Sequence, residues 1–335
     1  MSAAAVVDVT ARGGRCRSVF MKRQHRAVRS TGDLAVEHAL AVTLRAGGVP
    51  VPPILTNDDG TTVVVEGRWR YEVHGVAAGI DLYRDVPSWH PYACPAHAEA
   101  AGRALARFHR AAAKFAAPAR PPGPLVVSTA VVAAPDPLAA LDRFLTARPA
   151  LAAAVDRQTV RRDFTRWHLP AIERLAPLLA ACGSQWGHGD WHPSNLTWTA
   201  AGTTGEVAAV LDLGLANRTA AVHDLAVAVE RAVVDWLAVG GTGVVRADFA
   251  ALDALLAGYC DERRLVDAER AAMPDAVRVA HVEYALSEVE YFAAVVGAPD
   301  YARLAYDNYF VGHGEWFATA AGDELLVRLC RAMDR

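Results

Sequence analysis

Several polar side chains with the chemistry of catalysis and metal binding fall within one short stretch of the chain. They are His188, Asp190, His192 and Asn195. A further carboxylate, Asp212, follows an apolar run at residues 207–211. Polar groups set between apolar runs are costly to bury unless each one finds a partner. The cluster therefore predicts a functional site in which these side chains act together.

The spacing of these residues is typical of a phosphoryl-transfer site. Asn195 follows Asp190 by five residues, and Asp212 opens an Asp-Leu-Gly sequence further along the chain. In kinase catalytic loops an Asp deprotonates the attacking hydroxyl, and an Asn five residues later binds metal together with a second, later Asp. Carboxylate and amide oxygens also suit Mg²⁺. Asp190 is thus the candidate catalytic base, and Asn195 and Asp212 are the candidate metal ligands.

The order His188-Gly189-Asp190, followed by His192, resembles the aminoglycoside phosphotransferase and choline kinase branch of the protein kinase-like fold. The resemblance implies an O-phosphotransferase that uses ATP, or alternatively GTP, together with Mg²⁺ and phosphorylates a hydroxyl of a small molecule. The acceptor it suggests is an amino sugar, an aminoglycoside-like compound or an amino alcohol. It also implies that His188 and His192 shape the loop by hydrogen bonding.

Other interpretations of this stretch stay open at the level of sequence. A single His-x-Asp is most often a turn whose polar groups form local hydrogen bonds. That reading does not explain why all of these residues occur together. A metal-dependent hydrolase would use His188, Asp190 and His192 as ligands of a transition metal, with residues 223–224 as the nearest further pair. A protein or peptide kinase, or a pseudokinase scaffold, would share the same loop.

The nucleotide end of a kinase site needs a lysine held by an acid. Lys22 ends a β-favouring run at residues 17–21, and it is one of only two lysines in a chain rich in arginine. Residues 31–44 have helical spacing, with Asp33 as a candidate N-cap and Glu37 beside the apolar face. A buried acid needs a cationic partner. By resemblance, Lys22 holds the α- and β-phosphates and Glu37 holds Lys22.

Two further parts of the nucleotide site are predicted with less support from the residues. The resemblance places the hinge between two lobes near residues 73–76, where Val73 and His74 would contact the adenine. Gly13-Gly14 lies too close to Lys22 to be the Gly-rich loop over the phosphates, and it is typical of a hairpin turn instead. We therefore expect the first strand and the Gly-rich loop of the kinase pattern to be missing, which leaves ATP affinity open.

The predicted fold is α+β and bilobal. Residues 1–75 form a small nucleotide-binding lobe with an antiparallel sheet and one helix, and residues 76–335 form a mainly helical lobe for catalysis and acceptor binding. We expect hairpins from residues 54–55 and 62–66 and from residues 196–198 and 207–211. We expect helices over residues 95–114, 138–146, 156–182 and 281–292. His109 is expected to be structural, and Asp224 to cap a helix and brace the catalytic loop.

The helix expected at residues 281–292 carries an unusual number of acids. Glu283, Glu288 and Glu290 lie on its two faces, with Tyr284 and Tyr291 near them. Uncompensated acids beside aromatic rings suit an acceptor that carries an ammonium group. An ordinary solvated acidic face explains the pattern equally well.

Composition excludes several classes of partner and compartment. The chain has 335 residues, 53% of them hydrophobic, and a formal net charge of −3, so we expect a globular protein without affinity for nucleic acid. Its five cysteines are scattered and form no Cys-x-x-Cys. The sequence shows no signal peptide or membrane span, so we expect a cytoplasmic protein that acts on a small molecule. The sequence leaves its oligomeric state open.

Overall fold

An antiparallel sheet occupies the first part of the chain in the computed structural model, which describes residues 3–10, 16–121, 123–241 and 243–334. The strands run in the order β1-β2-β4-β3. They are β1 (Ala3–Thr10), β2 (Cys16–His25), β3 (Val64–Glu66) and β4 (Trp69–Gly75). β1 and β2 pair as expected for a hairpin, while the predicted turn at Gly13-Gly14 lies outside the described residues. Lys22 on β2 stands opposite Glu72 on β4.

The second predicted hairpin is wrong in its pairing. β3 pairs with β4 across a turn in which Gly67 adopts a positive φ of 55°, a conformation that glycine tolerates best. Ile54 forms only an isolated bridge to His74. The side chain of Asn57 accepts the backbone N–H groups of Asp59 and Thr61, so the intervening loop is held locally instead of by a strand pair.

Helix α1 (Thr31–Ala46) packs beside this sheet. Its N-cap is Ser30, which forms a capping box with Asp33. The prediction that Asp33 is the N-cap is therefore wrong by three residues. The hydroxyl of Ser30 accepts the backbone N–H of Asp33 instead. Leu34 and Leu40 are fully buried on the inner face of the helix, which confirms the predicted helical spacing.

The remainder of the described chain is mainly helical. The helices are α2 (Pro95–Ala112), α3 (Pro137–Thr146), α4 (Pro149–Ala154), α5 (Arg157–Trp167), α6 (Leu169–Ala181), α7 (Ala221–Val233), α8 (Phe249–Glu262), α9 (Asp267–Val279), α10 (Val282–Glu290), α11 (Pro299–Leu304), α12 (Gly312–Phe317) and α13 (Ala320–Met333). Two short sheets pair β5 (Gln185–Gly187) with β8 (Asn217–Thr219), and β6 (Leu196–Trp198) with β7 (Val207–Val210). The β6–β7 hairpin confirms the prediction.

Three helix predictions are corrected in detail. The helix expected over residues 156–182 is two helices that meet at His168, since Pro170 lacks the N–H that would continue the first one. The helix expected over residues 281–292 is α10, and it continues into a π-helical segment, Tyr291–Val296. α7 starts at Ala221, so Asp224 lies inside its first turn and does not cap it.

Helices α2 and α8 pack closely against each other, and glycines make this possible. A Cβ at Gly102 would lie 2.0 Å from the carbonyl oxygen of Leu255, and one at Gly258 would lie 2.0 Å from that of Glu99. The two backbones therefore touch, which fixes the position of His109 near the C-terminal end of α2. Among the described residues, none of the helices combines the length and apolarity needed to span a bilayer.

Candidate functional site

The candidate catalytic loop, residues 188–195, joins β5 to β6 and is held by its own hydrogen bonds. A turn of 3₁₀ helix at Pro193–Asn195 brings Asn195 back toward Asp190. The side-chain amide of Asn195 donates to the Asp190 carboxylate at 3.0 Å and to the Asp190 backbone carbonyl at 2.8 Å. The predicted pair of candidate base and candidate metal ligand is thus in direct contact, and the carbonyl oxygen of the Asn195 amide is left for another partner.

Asp224 on α7 holds the start of this loop by hydrogen bonds, as the sequence predicts. Its carboxylate accepts the backbone N–H groups of His188 and Gly189, each at 2.7 Å, and the Nε2–H of His109 at 2.9 Å. Burial raises the pKa of Asp224, but the hydrogen bond and charge of His109 and these backbone groups outweigh it and lower the pKa overall. His109 in turn accepts the hydroxyl of Tyr259 at 2.7 Å, so its expected structural role is confirmed.

The two loop histidines are hydrogen-bonded in ways that suit neutral rings. His188 accepts the backbone N–H of Asp190 and donates to the Leu211 carbonyl at 2.9 Å. His192 contacts Ser194 at 2.9 Å and Asn195 at 3.0 Å. Burial lowers the pKa of both rings, that of His192 to about 4. These contacts fit the loop-shaping role predicted for His188 and His192.

Asp212 stands at the end of β7 in a conformation that is rare for a non-glycine residue. Its φ is 50°, and its carboxylate accepts the Gly214 N–H at 3.2 Å and pairs with Lys22 Nζ at 2.9 Å. The charge of Lys22 lowers the pKa of Asp212 to about 2, against the opposite effect of burial. Burial acts to lower the pKa of Lys22, but the carboxylates of Asp212 and Glu72 outweigh it and raise the pKa. Lys22 and Asp212 thus meet as one charged pair.

Glu37 does not hold Lys22 in this structure, which corrects the predicted ion pair. Its carboxylate pairs with Arg29 and Arg120, each at 3.0 Å, and all three side chains are buried. Both arginines also donate to the backbone carbonyl of Gly214, two residues after Asp212. Burial raises the pKa of Glu37, and the two guanidinium groups partly offset that effect. Glu37 therefore connects α1 to the Asp-Leu-Gly segment through two arginines.

A cavity of about 500 Å³ opens beside these residues, between the sheet and the β6–β7 hairpin. Its polar lining includes Lys22, Asn195 and Asp212, so the predicted lysine and both predicted metal ligands face one space. His74 also lines it, whereas Val73 is not among its lining residues. The volume lies within the usual range for a small-molecule site. Asp212, whose side chain is 44% exposed, and the Asn195 carbonyl oxygen are hard oxygen donors that suit Mg²⁺.

Sequence reasoning missed Arg231, which pairs with the carboxylate of Asp190. Arg231 lies on α7 and is only 1% exposed. Its guanidinium stands 4.4 Å from the ring centre of Tyr284 and 5.4 Å from that of Trp89. One signal was available, because Glu230 and Arg231 directly follow an apolar run at residues 225–229 of α7, and buried charges beside such a run need specific partners.

The acids expected to bind the acceptor are mostly used inside the fold. Glu283 is buried and accepts backbone N–H groups at residues 130–132, with distances of 2.6–3.2 Å. Glu290 pairs with the buried Arg148 at 2.5 Å. Glu288 is partly exposed, and burial raises its pKa to about 7 despite the charge of Arg231. Of the three acids, Glu288 is the one whose side chain stays partly exposed, and it lies near Arg231 and Tyr284.

Comparison with known proteins gives a family match across most of the chain. The profile described as the phosphotransferase enzyme family matches residues 3–273. A search of curated protein sequences gave no match.

Solved structures share the fold at low sequence identity. An amicoumacin kinase in complex with AMP-PNP, Ca²⁺ and Ami is 15% identical with a TM-score of 0.57, covering 90% of this chain and 85% of its own. A microcompartment-associated aminopropanol kinase is 14% identical with a TM-score of 0.55, covering 98% and 94%. An aminoglycoside phosphotransferase with GDP and kanamycin is 12% identical with a TM-score of 0.54, covering 95% and 94%. These identities show a shared fold alone.

Proposed function

The chain belongs to the phosphotransferase enzyme family, and on that premise we propose that it transfers the γ-phosphoryl group of ATP to a hydroxyl of a small molecule at the site around Asp190. One observation carries the proposal. Lys22, Asn195 and Asp212 line a single cavity, and Asn195 is hydrogen-bonded to Asp190 at its edge. This is the set that phosphoryl transfer needs: a base, metal ligands and a cation for phosphate.

The donor nucleotide occupies the 500 Å³ cavity in this proposal. Phe20, Val51 and Ile54 supply apolar lining for the base, and the chain near His74 forms the hinge side. Lys22 turns from Asp212 to the phosphates when the nucleotide enters. Asn195 and Asp212 would hold Mg²⁺, which when bound would neutralise charge on the phosphate oxygens. GTP fits the same description, and the test below includes it.

Asp190 orients the acceptor hydroxyl and accepts its proton as the oxygen attacks the γ-phosphorus, while the bond from the γ-phosphorus to the β,γ-bridging oxygen breaks and ADP leaves. Two fixed groups hold the Asp190 carboxylate for this task, the amide of Asn195 and the guanidinium of Arg231. Asp224 keeps the loop backbone in place through residues 188 and 189. Burial lowers the pKa of His188 and of His192. His188 bonds to the Leu211 carbonyl and His192 to Ser194, so the base role is left to Asp190.

The proposed acceptor carries an amino group near its reactive hydroxyl. Glu288 supports this, since it is a partly exposed carboxylate close to Tyr284 and Arg231, and aromatic rings with a carboxylate suit an ammonium. Glu283 and Glu290 do not have that role in this proposal, because their carboxylates are paired inside the fold. We also propose that residues 1–75 and 76–335 act as the nucleotide and acceptor lobes, because the cavity lies where the sheet meets the β6–β7 hairpin.

Thermal stability with added ligand tests the nucleotide site. Mg²⁺-ATP at a hundredfold excess over Kd should stabilise the wild type by about 2.7 kcal/mol. The shift should disappear in Asp212→Ala and in Lys22→Ala. Lys114→Ala is the matched control, because Lys114 is the other lysine of the chain and is exposed. No shift of the wild type with either Mg²⁺-ATP or Mg²⁺-GTP would overturn the proposal.

A coupled assay for ADP release then tests the acceptor class. Amino alcohols, amino sugars and aminoglycosides should stimulate ADP release, whereas matched alcohols without an amino group should stimulate it much less. Equal rates with both sets would contradict the assignment of an amino-bearing acceptor.

A further inference from the structure

A second cluster of metal-ligand side chains lies in the helical core, apart from the nucleotide cavity. It consists of Glu230 on α7, His281 just before α10 and His313 on α12. Their ligand atoms all lie within 4.8 Å of one another. The three residues are 1%, 0% and 3% exposed. One carboxylate and two imidazoles form a ligand set that Zn²⁺ binds in many proteins.

The hydrogen bond within this cluster leaves out one of its three members. His313 Nδ1 and Glu230 Oε1 lie 2.6 Å apart and satisfy each other. Apart from a contact with the backbone of Phe310, neither ring nitrogen of His281 has a hydrogen-bond partner among the described residues. Buried polar groups are seldom left so, because their lost hydration is not replaced. A bound cation would give His281 a strong partner in addition to its contact with the backbone of Phe310.

An aromatic ring covers one side of the cluster. Trp236 stacks on His313 with ring centres 3.5 Å apart, which adds an apolar shell around the ligands.

We propose that Glu230, His281 and His313 bind one Zn²⁺ as a structural ion joining α7, the start of α10 and α12. Tetrahedral Zn²⁺ holds nitrogen and oxygen ligands about 2.0–2.2 Å away, which sets the ligand atoms roughly 3.4 Å apart. The widest pair must therefore close by up to about 1.4 Å, a distance within reach of side-chain rotation. A water molecule would take the fourth position.

The other histidine and carboxylate cluster of the described chain does not call for a metal. His38, Glu72 and His74 also lie within 4.8 Å of one another. There, Glu72 is bonded to His38 at 2.7 Å and to Gln24 at 2.9 Å, while His38 is also bonded to Thr62. Its groups are already satisfied, in contrast to His281.

The proposed ion would also influence the catalytic loop. Arg231 follows Glu230 on α7 and pairs with Asp190. An ion that fixes Glu230 therefore fixes the turn of helix from which Arg231 reaches the candidate base.

Metal analysis of the purified full-length chain tests the proposal directly. The protein is prepared without a metal-binding tag, incubated with ZnCl₂, separated by gel filtration and analysed by inductively coupled plasma mass spectrometry. We expect one equivalent of Zn²⁺ in the wild type and less than about a tenth of that in His281→Gln and His313→Gln. His168→Gln is the matched control and should keep its zinc, because His168 is equally buried but outside the proposed ligand set.

Two further measurements keep the test decisive. If a ligand variant fails to fold, Co²⁺ added to the wild type should still give the strong visible absorption of a low-coordinate site. Asp190→Asn and Asp212→Ala should keep one equivalent of zinc, which separates this site from the phosphotransfer site and from a hydrolase centre there. Wild type without zinc or cobalt, or unchanged zinc in His281→Gln, would overturn the proposal, whatever the phosphotransferase assays show.

Discussion

Replacing Asp224 by Asn should destabilise the protein, because it removes hydrogen bonds to the catalytic loop. The size of the side chain hardly changes. The carboxylate accepts three hydrogen bonds, two from backbone N–H groups at 2.7 Å and one from His109 at 2.9 Å. An amide keeps one oxygen and turns an NH₂ group toward a second donor, so about two of the three bonds are lost. At roughly 1.5–3 kcal/mol for each bond to a charged group, the loss is about 3–6 kcal/mol. Tm should fall by roughly 6–12 °C, at about 2 °C per kcal/mol.

The stabilisation by Asp224 should depend on pH in one direction. Because the pKa of Asp224 is lowered in the folded protein, its contribution is complete above the unfolded value of about 3.9 and is lost as pH falls through the folded value. Urea unfolding of wild type and Asp224→Asn should therefore differ most near pH 7 and converge in acid.

A matched control separates the brace from a general effect of removing a carboxylate. Asp142 is 57% exposed and pairs with Arg161 on the surface, so Asp142→Asn should cost less than about 1 kcal/mol. If Asp224→Asn costs no more than this control at pH 7, the brace argument is refuted.

Three other predictions concern the same site. Gly187→Ala should destabilise the protein by about 1–3 kcal/mol in urea unfolding, since the new Cβ would lie 2.7 Å from the carboxyl carbon of Asp224; a neutral result would contradict that packing. Arg231→Met should lower kcat by roughly tenfold or more while leaving KM for ATP unchanged, because Arg231 contacts Asp190 but does not line the cavity; an equal change in both would argue against this. For an amino-bearing acceptor, KM should rise as pH falls below about 7, since burial raises the pKa of Glu288 to about 7 and protonation removes its charge; Glu288→Gln should abolish this dependence.

The parts of the site that are close in sequence could be predicted from the sequence. The contact between Asp190 and Asn195 follows from a five-residue offset within one turn. The strand with Lys22, helix α1 and the β6–β7 hairpin follow from local periodicity and turn residues. These features are predictable because they depend on short-range backbone geometry, and the residue pattern reflects that geometry.

The choice among several possible partners of a buried charge was what sequence reasoning missed. The resemblance pairs Glu37 with Lys22, whereas the structure pairs it with Arg29, which is nearer in sequence, and with the distant Arg120. The sequence pattern favours Glu283 as an acceptor ligand, whereas its carboxylate accepts the backbone N–H groups at residues 130–132. The choice of partner for a buried charge depends on tertiary packing, and many arginines in this chain carry the same local signal.

The kinetic effect of Asp190→Asn tests the central claim most directly. The change removes the proposed base while keeping the size of the side chain. Turnover is measured with the best acceptor of the screen, and nucleotide binding by thermal shift. We predict a fall in kcat of about 10²–10⁴-fold with the Mg²⁺-ATP shift retained. A kcat within a few fold of wild type would show that Asp190 is not the base and would contradict the proposed mechanism.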